Sequence, residues 1–222
     1  MDNAIRGMRN AMQSWEWSDS WQSDFAKDGN GGFVVGPNDK RLARRLIHAG
    51  SDERKFLRQI FVSVDVTAPL YWWKEYDTYK VATVANSTST MHKIHAKEFT
   101  LDDFSHERLH KRALKCLEET IDELNMWREI YNNGGLVDDF STDDATETFE
   151  PKDMAAWHNM IQLLPSSYNQ MRTCTLNYEN LLGIYFARRH HKLPEWHNYC
   201  DWIMDLPYAS EFFSAADKTI KT

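Results

Sequence analysis

The sequence is poor in cysteine and has no long apolar run. Its three cysteines, Cys116, Cys174 and Cys200, are an odd number without CxxC spacing, which argues against a disulfide framework and a cysteine-rich zinc site. Apolar runs such as residues 60–66 and 180–187 are far shorter than the roughly 20 residues that cross a bilayer. The N-terminal residues also carry charges where a signal peptide is apolar. We therefore expect a soluble, cytoplasmic protein without a membrane partner.

Basic residues are also fewer than acidic ones. The 222 residues include 26 Lys and Arg against 33 Asp and Glu, which gives a net charge of −7. Sequence-independent binding to a nucleic acid needs many cations that displace counterions from phosphates. We therefore expect no nucleic acid polymer as a partner, whereas a small anionic ligand held by a few local cations is compatible with this charge.

Aromatic residues are abundant, with nine Trp, nine Tyr and eleven Phe. Such rings stack on nucleobases or flavins, but more often they fill cores and subunit interfaces. The hydrophobic fraction of 42% and the charged fraction of 27% are typical of globular proteins. Because the chain shows no internal repeat and no linker, we predict a single domain over residues 1–222.

Apolar periodicity predicts several helices and one strand. The strand is Gln59–Thr67, whose β-branched residues alternate with more polar positions. Asn38 and Ser105 are predicted as helix N-caps, and Gly50 as a helix stop. The predicted helices cover residues 3–17, 38–48, 70–80, 105–131, 151–163, 177–190 and 195–205.

Two segments between these elements suggest ligand loops at first sight. The glycines of residues 28–36 lack the spacing of a nucleotide-binding loop, so we interpret them as a turn. Residues 138–150 are rich in Asp and Glu among Ser and Thr, but they lack the glycine and the terminal Glu of a calcium loop. We predict a mobile acidic surface loop there.

One histidine pair matches a metal motif. Residues 106–110 read His-Glu-Arg-Leu-His, the H-E-x-x-H pattern that binds zinc when it lies on a helix. No third ligand is suggested by spacing, so we predict no metal site. The sequence also lacks GxSxG, and its cysteines are not in a reactive setting. Arg188 and Arg189 end a predicted helix, where they suit the helix dipole and are able to bind a phosphate.

Two segments taken together resemble the flavin-dependent thymidylate synthase (ThyX) family. The first follows the family's order of a His-Gly loop, a strand, Ala-Pro and an aromatic helix, with Leu46-Ile47-His48-Ala49-Gly50, Ala68-Pro69 and Trp73-Lys74-Glu75-Tyr76. The second is similar to the family's Leu-Pro, Asn, Leu and Leu-Arg positions, with Leu164-Pro165, Thr175-Leu176-Asn177, Leu181-Leu182, Ala187-Arg188 and then Glu195-Trp196. The resemblance extends over most of the chain, residues 3–205.

The family motif RHRxxSxNExSxRY is only partly present. Aligned without gaps from Ala68-Pro69, the RHR positions hold Thr78, Tyr79 and Lys80, so one cation of three is kept. The other positions hold Asn86 for Glu, Thr88 for Ser with Ser87 and Ser89 beside it, and Thr90 for the second Arg. A charge-assisted contact contributes about 1.5–3 kcal/mol, so cations elsewhere would have to replace the lost ones. Candidates across a subunit boundary are Arg44, Arg45, Arg54, Arg58, His92, Lys93, Arg188 and Arg189.

The resemblance implies a ThyX-like α+β fold with a small, mainly antiparallel sheet wrapped by helices, assembled as a homotetramer. It implies flavin-dependent one-carbon transfer to C5 of a pyrimidine deoxynucleotide monophosphate, by a thymidylate synthase-like transferase with FAD as hydride carrier and folate and NADPH as co-substrates. Methyl or hydroxymethyl transfer, and a uracil or cytosine base, are left open. The alternative is a non-catalytic ThyX-fold module that binds a nucleotide or serves assembly and has lost flavin binding.

The resemblance also implies roles for individual residues. In the family no protein side chain attacks the base, so the protein contributes positioning and charge. The expected catalytic residues are Ser87, Ser89 and Arg188. The expected cofactor-binding residues are His48, Thr78, Tyr79, Lys80 and Asn177. The expected substrate-binding residues are Lys80, Asn86, Ser87, Ser89 and Arg188.

Overall fold

The computed structural model describes residues 1–23, 32–138 and 146–217. The chain divides into two compact units, each assembled from separate stretches of sequence. Unit 1 comprises Met1–Val64, Tyr79–Ala85 and Cys174–Thr222, and unit 2 comprises Asp65–Thr78 and Asn86–Thr173. The single domain expected from the sequence stays a prediction.

Helices dominate the described residues. They are α1 (Asp2–Met12), α2 (Pro37–Ala49), α3 (Leu70–Tyr76), α4 (Thr90–Lys93), α5 (Lys111–Asn133), α6 (Met154–Leu163), α7 (Tyr178–Arg188), α8 (Pro194–Asp205) and α9 (Ala209–Ala216). The strands are β1 (Trp21–Gln22), β2 (Phe33–Val34), β3 (Phe61–Pro69), β4 (Val84–Ser87), β5 (Gly135–Asp138), β6 (Thr146–Phe149) and β7 (Asn169–Asn177). In the part of the chain that the structure describes, every helix is too short or too polar to cross a bilayer.

The strands form one three-stranded sheet, in the order β3-β7-β4, and two small antiparallel pairs, β1 with β2 and β5 with β6. Side-chain contacts show that β3 and β7 are antiparallel. Thr175 Oγ1 contacts Ser63 Oγ at 3.3 Å, and Thr173 Oγ1 donates to Asp65 Oδ1 at 2.6 Å. The residue number falls on one strand as it rises on the other, so the expected combination of helices with a small antiparallel sheet is confirmed.

Unit 1 is built from amphipathic helices. On α1 the residues Ala4, Ile5 and Met8 are buried, which is the spacing of one helix face. Helix α2 packs against α9, and α7 packs against α8. Large side chains fill the space between them, including Trp196 and Phe212, which are fully buried.

A buried ion pair lies at the centre of the N-terminal part of unit 1. Arg9 Nε donates to Asp39 Oδ1 at 2.6 Å, and the side chain of Asp39 is 0% exposed. Asp39 Oδ2 accepts hydrogen bonds from Ser18 Oγ, Ser20 Oγ and the Asp19 amide at 2.8, 2.6 and 3.1 Å. Because every bond links α2 to an earlier segment, the carboxylate fixes residues 9–20 against that helix.

Unit 2 has its own apolar core around α5. Helix α5 contributes Leu117, Ile121 and Leu124, which pack with other buried residues, namely Ile94, Phe99, Phe104 and Met160. A smaller cluster joins Ile130 to Phe149 and Ala156. These positions on α5 recur every three or four residues, which explains why apolar spacing predicted this helix.

The predicted strand and several helices are confirmed, with shifted ends. Strand β3 covers Phe61–Pro69 and alternates exposed with less exposed residues as far as Thr67. Helix α1 stops at Met12 because Gln13 adopts a left-handed conformation with φ 47°. A 3₁₀ turn at Trp15–Trp17 follows it. Helix α3 ends at Tyr76 rather than at residue 80.

Two predicted N-caps are wrong, because both residues serve other contacts. The N-cap of α2 is Gly36, followed by Pro37, and the amide of Asn38 donates to Asp19 Oδ2 at 2.9 Å. Helix α5 starts at Lys111, with His110 as its N-cap. Ser105 lies outside that helix, where its hydroxyl donates to Asn169 Oδ1 at 2.9 Å.

Some elements were not predicted from the sequence. They are the strands β1, β2, β4, β5, β6 and β7 and the helices α4 and α9. Residues 146–149 of the expected acidic loop form β6, which pairs with β5 over Gly135–Asp138, so this part of the segment is a strand rather than a loop. Residues 139–145, and residues 28–31 of the glycine turn, lie outside the described residues.

We expect the Asp39→Asn substitution to destabilise the protein strongly. It leaves Arg9 as a buried cation without its counter-charge, and such a loss costs about 3–5 kcal/mol. Urea unfolding followed by circular dichroism measures the change. The control is Glu119→Gln, which breaks the exposed Lys115–Glu119 pair and should change the free energy of unfolding by no more than about 0.5 kcal/mol. Equal effects of the two substitutions would contradict the assigned role of Asp39.

The same carboxylate should make stability depend on acid pH. Burial raises the pKa of Asp39, but hydrogen bonds from Ser20, Arg9 and Ser18 outweigh burial and hold the pKa below its ordinary value of 3.8. A depressed folded pKa gives stability that is present above about pH 4 and is lost as the pH falls through the folded value. The free energy of unfolding, measured from pH 6 to pH 3, should therefore fall less steeply in Asp39→Asn than in the wild type. Parallel slopes would contradict this prediction.

Candidate functional site

The segment after α3 that carries Tyr79 and Lys80 forms a turn against α7. Thr83 Oγ1 donates to the Tyr79 carbonyl at 2.5 Å, and Ala82 has φ 57°. Asn180, in the first turn of α7, donates to the Val81 carbonyl at 2.9 Å. The turn is thereby held in place on both sides of Lys80, whose side chain is exposed to solvent.

Arg188, at the C-terminal end of α7, meets the other end of this turn. Its Nε donates to Tyr79 Oη at 2.8 Å. The guanidinium lies 4.7 Å from the ring centroid of Trp196 and 5.5 Å from that of Tyr79. Stacking of this kind orients a guanidinium, so the structure brings together two predicted residues, Tyr79 and Arg188, in a half-buried aromatic setting.

Asn177 serves as the N-cap of α7. Its Oδ1 accepts from the Asn180 amide at 3.1 Å, and Asn180 Oδ1 accepts from the Asn177 amide at 3.3 Å. This reciprocal capping box satisfies two donors of the helix terminus. The expectation that Asn177 contacts a flavin stays a prediction.

Unit 2 contains the polar residues expected to hold the nucleotide. Asn86 and Ser87 lie on β4 and are exposed. Ser89 is the N-cap of α4, where its Oγ accepts from the His92 amide at 3.0 Å, as expected for the helix-cap alternative. Thr88 between the two serines is fixed to β7, because its amide donates to the Met171 carbonyl at 2.9 Å.

The other predicted residues have simpler surroundings. His48 is exposed in the last turn of α2. Thr78 Oγ1 donates to the Glu75 carbonyl at 2.7 Å, so this hydroxyl completes the end of α3. The predicted residues of unit 1 are His48, Tyr79, Lys80, Asn177 and Arg188, and those of unit 2 are Thr78, Asn86, Ser87 and Ser89.

Two of the cations considered as replacements already have partners. Arg54 forms a forked ion pair with Glu179, with distances of 2.9 to 3.1 Å. Arg189 pairs with Asp217 at 2.7 Å, and its guanidinium stacks on Phe186 at 4.8 Å. Binding a phosphate through either residue would first require breaking its ion pair.

The H-E-x-x-H match does not lie on a helix. Residues 106–110 precede α5, and His110 caps that helix through Nδ1, which accepts from the Arg112 amide. His106 Nδ1 contacts the Phe104 carbonyl at 2.8 Å. In residues 1–23, 32–138 and 146–217, no three His, Cys, Asp or Glu side chains are grouped as metal ligands.

Sequence reasoning missed two residues of this site, Trp196 and Asn180. Trp196 is fully buried, and its ring centroid lies 6.1 Å from that of Tyr79. The Asn-x-x-Asn spacing of residues 177 and 180 was a detectable capping signal. The contact between Trp196 and Arg188 had no local signal, because the two residues lie on different helices.

Comparison with known proteins gives fold similarity without sequence similarity. No protein-family model matches the sequence, and no curated protein matches it. A solved structure of flavin-dependent thymidylate synthase ThyX from Helicobacter pylori, complexed with FAD and dUMP, matches with TM-score 0.61 and 17% identity over 96% of this chain and 94% of that chain. A second ThyX structure from Helicobacter pylori with FAD and dUMP matches with TM-score 0.58 and 16% identity over 97% and 94%.

The chain therefore has a divergent ThyX-like fold, as the sequence resemblance implied. The match extends over almost the whole length of both chains. At 17% identity it shows the fold alone, and the activity has to be argued from the residues of this chain.

Substitutions at Asn177 should separate its capping role from ligand binding. Asn177→Ala removes the cap and should lower the free energy of unfolding by about 0.5–2 kcal/mol, whereas Asn177→Ser keeps a capping oxygen and should lower it much less. Chemical denaturation measures both variants. If the two variants unfold alike and at wild-type stability, the cap contributes nothing and the assignment is wrong.

Proposed function

We propose that this protein transfers a one-carbon unit to C5 of a pyrimidine deoxynucleotide monophosphate in a flavin-dependent, thymidylate synthase-like reaction. The observation that carries this proposal is the ThyX-like fold over almost the whole chain, together with Lys80 on a fixed turn whose Tyr79 contacts the guanidinium of Arg188. Folate as carbon donor and NADPH as reductant belong to the same proposal.

The residues of this chain would contribute charge and orientation. Lys80 and Arg188 supply positive charge for the phosphate, and Tyr79 holds Arg188 in place through its hydroxyl. Asn86, Ser87 and Ser89 supply hydrogen-bonding groups for the nucleotide from an exposed stretch that Thr88 anchors to β7. In this scheme Ser87 and Ser89 position the nucleotide, and neither attacks it.

The residues around Tyr79 and Lys80 are also suited to bind FAD. A flavin needs a partly apolar surface for its ring and positive charge near its pyrophosphate. The half-buried ring of Tyr79 beside Trp196 provides the first, and Lys80 provides the second. His48, Thr78 and Asn177 complete the proposed cofactor set. When bound, FAD supplies the hydride for the transferred carbon.

An exposed sheet face supports assembly of several copies, and we propose a homotetramer. On β3 the alternate residues Phe61, Ser63, Asp65 and Thr67 are all exposed. Phe61 is 70% exposed, which is unusual for a large aromatic side chain on a strand of a folded monomer. A second copy that covers this face would bury it. Light scattering of the purified protein tests the proposal, with a mass of four chains expected and a monomer contradicting it.

The test of the proposed activity begins with flavin binding. The purified protein, with added FAD and after gel filtration, should show visible flavin absorbance that co-migrates with it. Lys80→Gln and Arg188→Gln should each weaken FAD or dUMP binding about tenfold, because each removes a charge-assisted contact. Lys192→Gln is the matched control, since Lys192 is an exposed cation four residues beyond Arg188, and it should bind like the wild type.

The outcomes separate the enzyme from the non-catalytic alternative. Transfer of label from methylenetetrahydrofolate to dUMP or dCMP, dependent on FAD and NADPH, would establish the reaction. A colourless protein that binds a pyrimidine nucleotide through Lys80 and Arg188 but retains no FAD would exclude the flavoenzyme and support a nucleotide-binding module. If these substitutions change the binding of neither FAD nor the nucleotide, the site has been assigned to the wrong residues.

A further inference from the structure

Unit 1 contains a cavity to which none of the functions above assigns a ligand. Its volume is about 420 Å³, within the range of about 300–1,000 Å³ that is usual for small-molecule sites. It opens between the end of α1, the 3₁₀ turn at Trp15–Trp17 and the outer face of α2. The residues that line it include Arg9, Met12, Ser14, Trp17, Arg41 and Arg45. None of the residues proposed for the flavin or the nucleotide substrate lines this cavity.

The wall that carries Trp17 is rigidly held. Arg9 is 5% exposed, and its guanidinium donates to the Trp17 carbonyl at 3.0 Å and to Ser14 Oγ at 3.3 Å. The same guanidinium is paired with Asp39 on α2, so the 3₁₀ turn and the helix cannot move apart without breaking a buried ion pair. The cavity is thus formed before any ligand arrives, which lowers the cost of binding.

The indole of Trp17 is the most exposed tryptophan side chain of the described residues. It is 63% exposed, although burying such a ring is strongly favourable. An exposed indole at the edge of a preformed cavity offers a flat face for stacking. Met12, 45% exposed, extends the apolar surface beside it.

The opposite wall carries concentrated positive charge. Helix α2 has four Lys and Arg residues, in a chain whose net charge is −7. Arg41 and Arg45 are both exposed and lie four positions apart, so they occupy the same face of the helix. Among the described residues neither forms an ion pair with a carboxylate, and Arg45 Nη2 is 3.9 Å from Met12 Sδ. Guanidinium groups placed in this way bind phosphate oxygens in a forked geometry.

We propose that this cavity is a second nucleotide site, in which the base of a nucleoside phosphate stacks on Trp17 and its phosphate is bound by Arg41 and Arg45. An aromatic face and two guanidinium groups that form no ion pair with any described carboxylate match a ligand with a planar ring at one end and a phosphate at the other. A simple anion would leave the indole uncovered, and an uncharged ring would offer no anion to the two guanidinium groups. The site shares no residue with the set proposed above for FAD and dUMP, and it gives Arg45, which the sequence suggested as a phosphate-binding cation, a different ligand.

Calorimetric titration of the full chain with AMP and with dTMP tests the proposal, with inorganic phosphate as the reference ligand. The double variant Arg41→Gln/Arg45→Gln should bind the preferred nucleotide at least about tenfold more weakly. Trp17→Ala should weaken it about tenfold through lost stacking, and Trp17→Phe should recover most of that loss. Lys55→Gln is the control, because Lys55 is an exposed cation of the same unit that does not line the cavity, and it should bind like the wild type.

Arg188→Gln distinguishes this site from the proposed active site. It should leave the binding that depends on Arg41 and Arg45 unchanged, whereas the double variant should keep the FAD absorbance of the wild type. Thermal unfolding of each variant verifies that it is folded. Nucleotide binding that is insensitive to both Trp17→Ala and the double variant would overturn the proposal, even if FAD binding is found. Inorganic phosphate that binds as tightly as either nucleotide would overturn the role of Trp17.

Discussion

The buried carboxylate of Asp39 is the contact on which the N-terminal half of unit 1 depends. A charge with no exposed surface is stable only when hydrogen bonds and an opposite charge replace its water. Arg9 supplies the charge, and Ser18, Ser20 and the Asp19 amide supply the other bonds. These partners come from α1 and the loop after it, so one side chain of α2 determines where that loop lies.

Long-range polar contacts also fix the candidate active site. Helix α7 contacts the turn at residues 79–83 at two points. Asn180, in the first turn of the helix, donates to the Val81 carbonyl, and Arg188, in its last turn, donates to the Tyr79 hydroxyl. The turn presents Lys80 to solvent at a defined place on the surface of unit 1. The proposed positioning role requires fixed charges more than reactive side chains, and the contacts from α7 fix the turn that carries Lys80.

The spacing of apolar residues predicted secondary structure correctly where buried positions recur with a simple period. Strand β3 keeps its β-branched residues on the less exposed face, and helices α2, α7 and α8 were predicted within a few residues of their actual ends. Strand β7 escaped detection because two of its inward positions are polar. Gln170 is buried, and Arg172 lies over the ring of Trp73 at 4.3 Å and pairs with Asp77. Tertiary contacts satisfy those polar groups, and the sequence pattern of β7 does not reveal them.

The sequence by itself determined the helix periods, the alternation of β3, the low cation content at residues 78–80 and the resemblance to ThyX. The tertiary structure decided which polar groups are already occupied and which face solvent. Asn177 is engaged as a cap, Arg54 is paired with Glu179, and Arg188 stacks on Trp196. Local propensity acts over a few residues, whereas Arg188 and Tyr79 are 109 positions apart. Such contacts arise only when packing brings distant segments together, so no spacing rule could have predicted them.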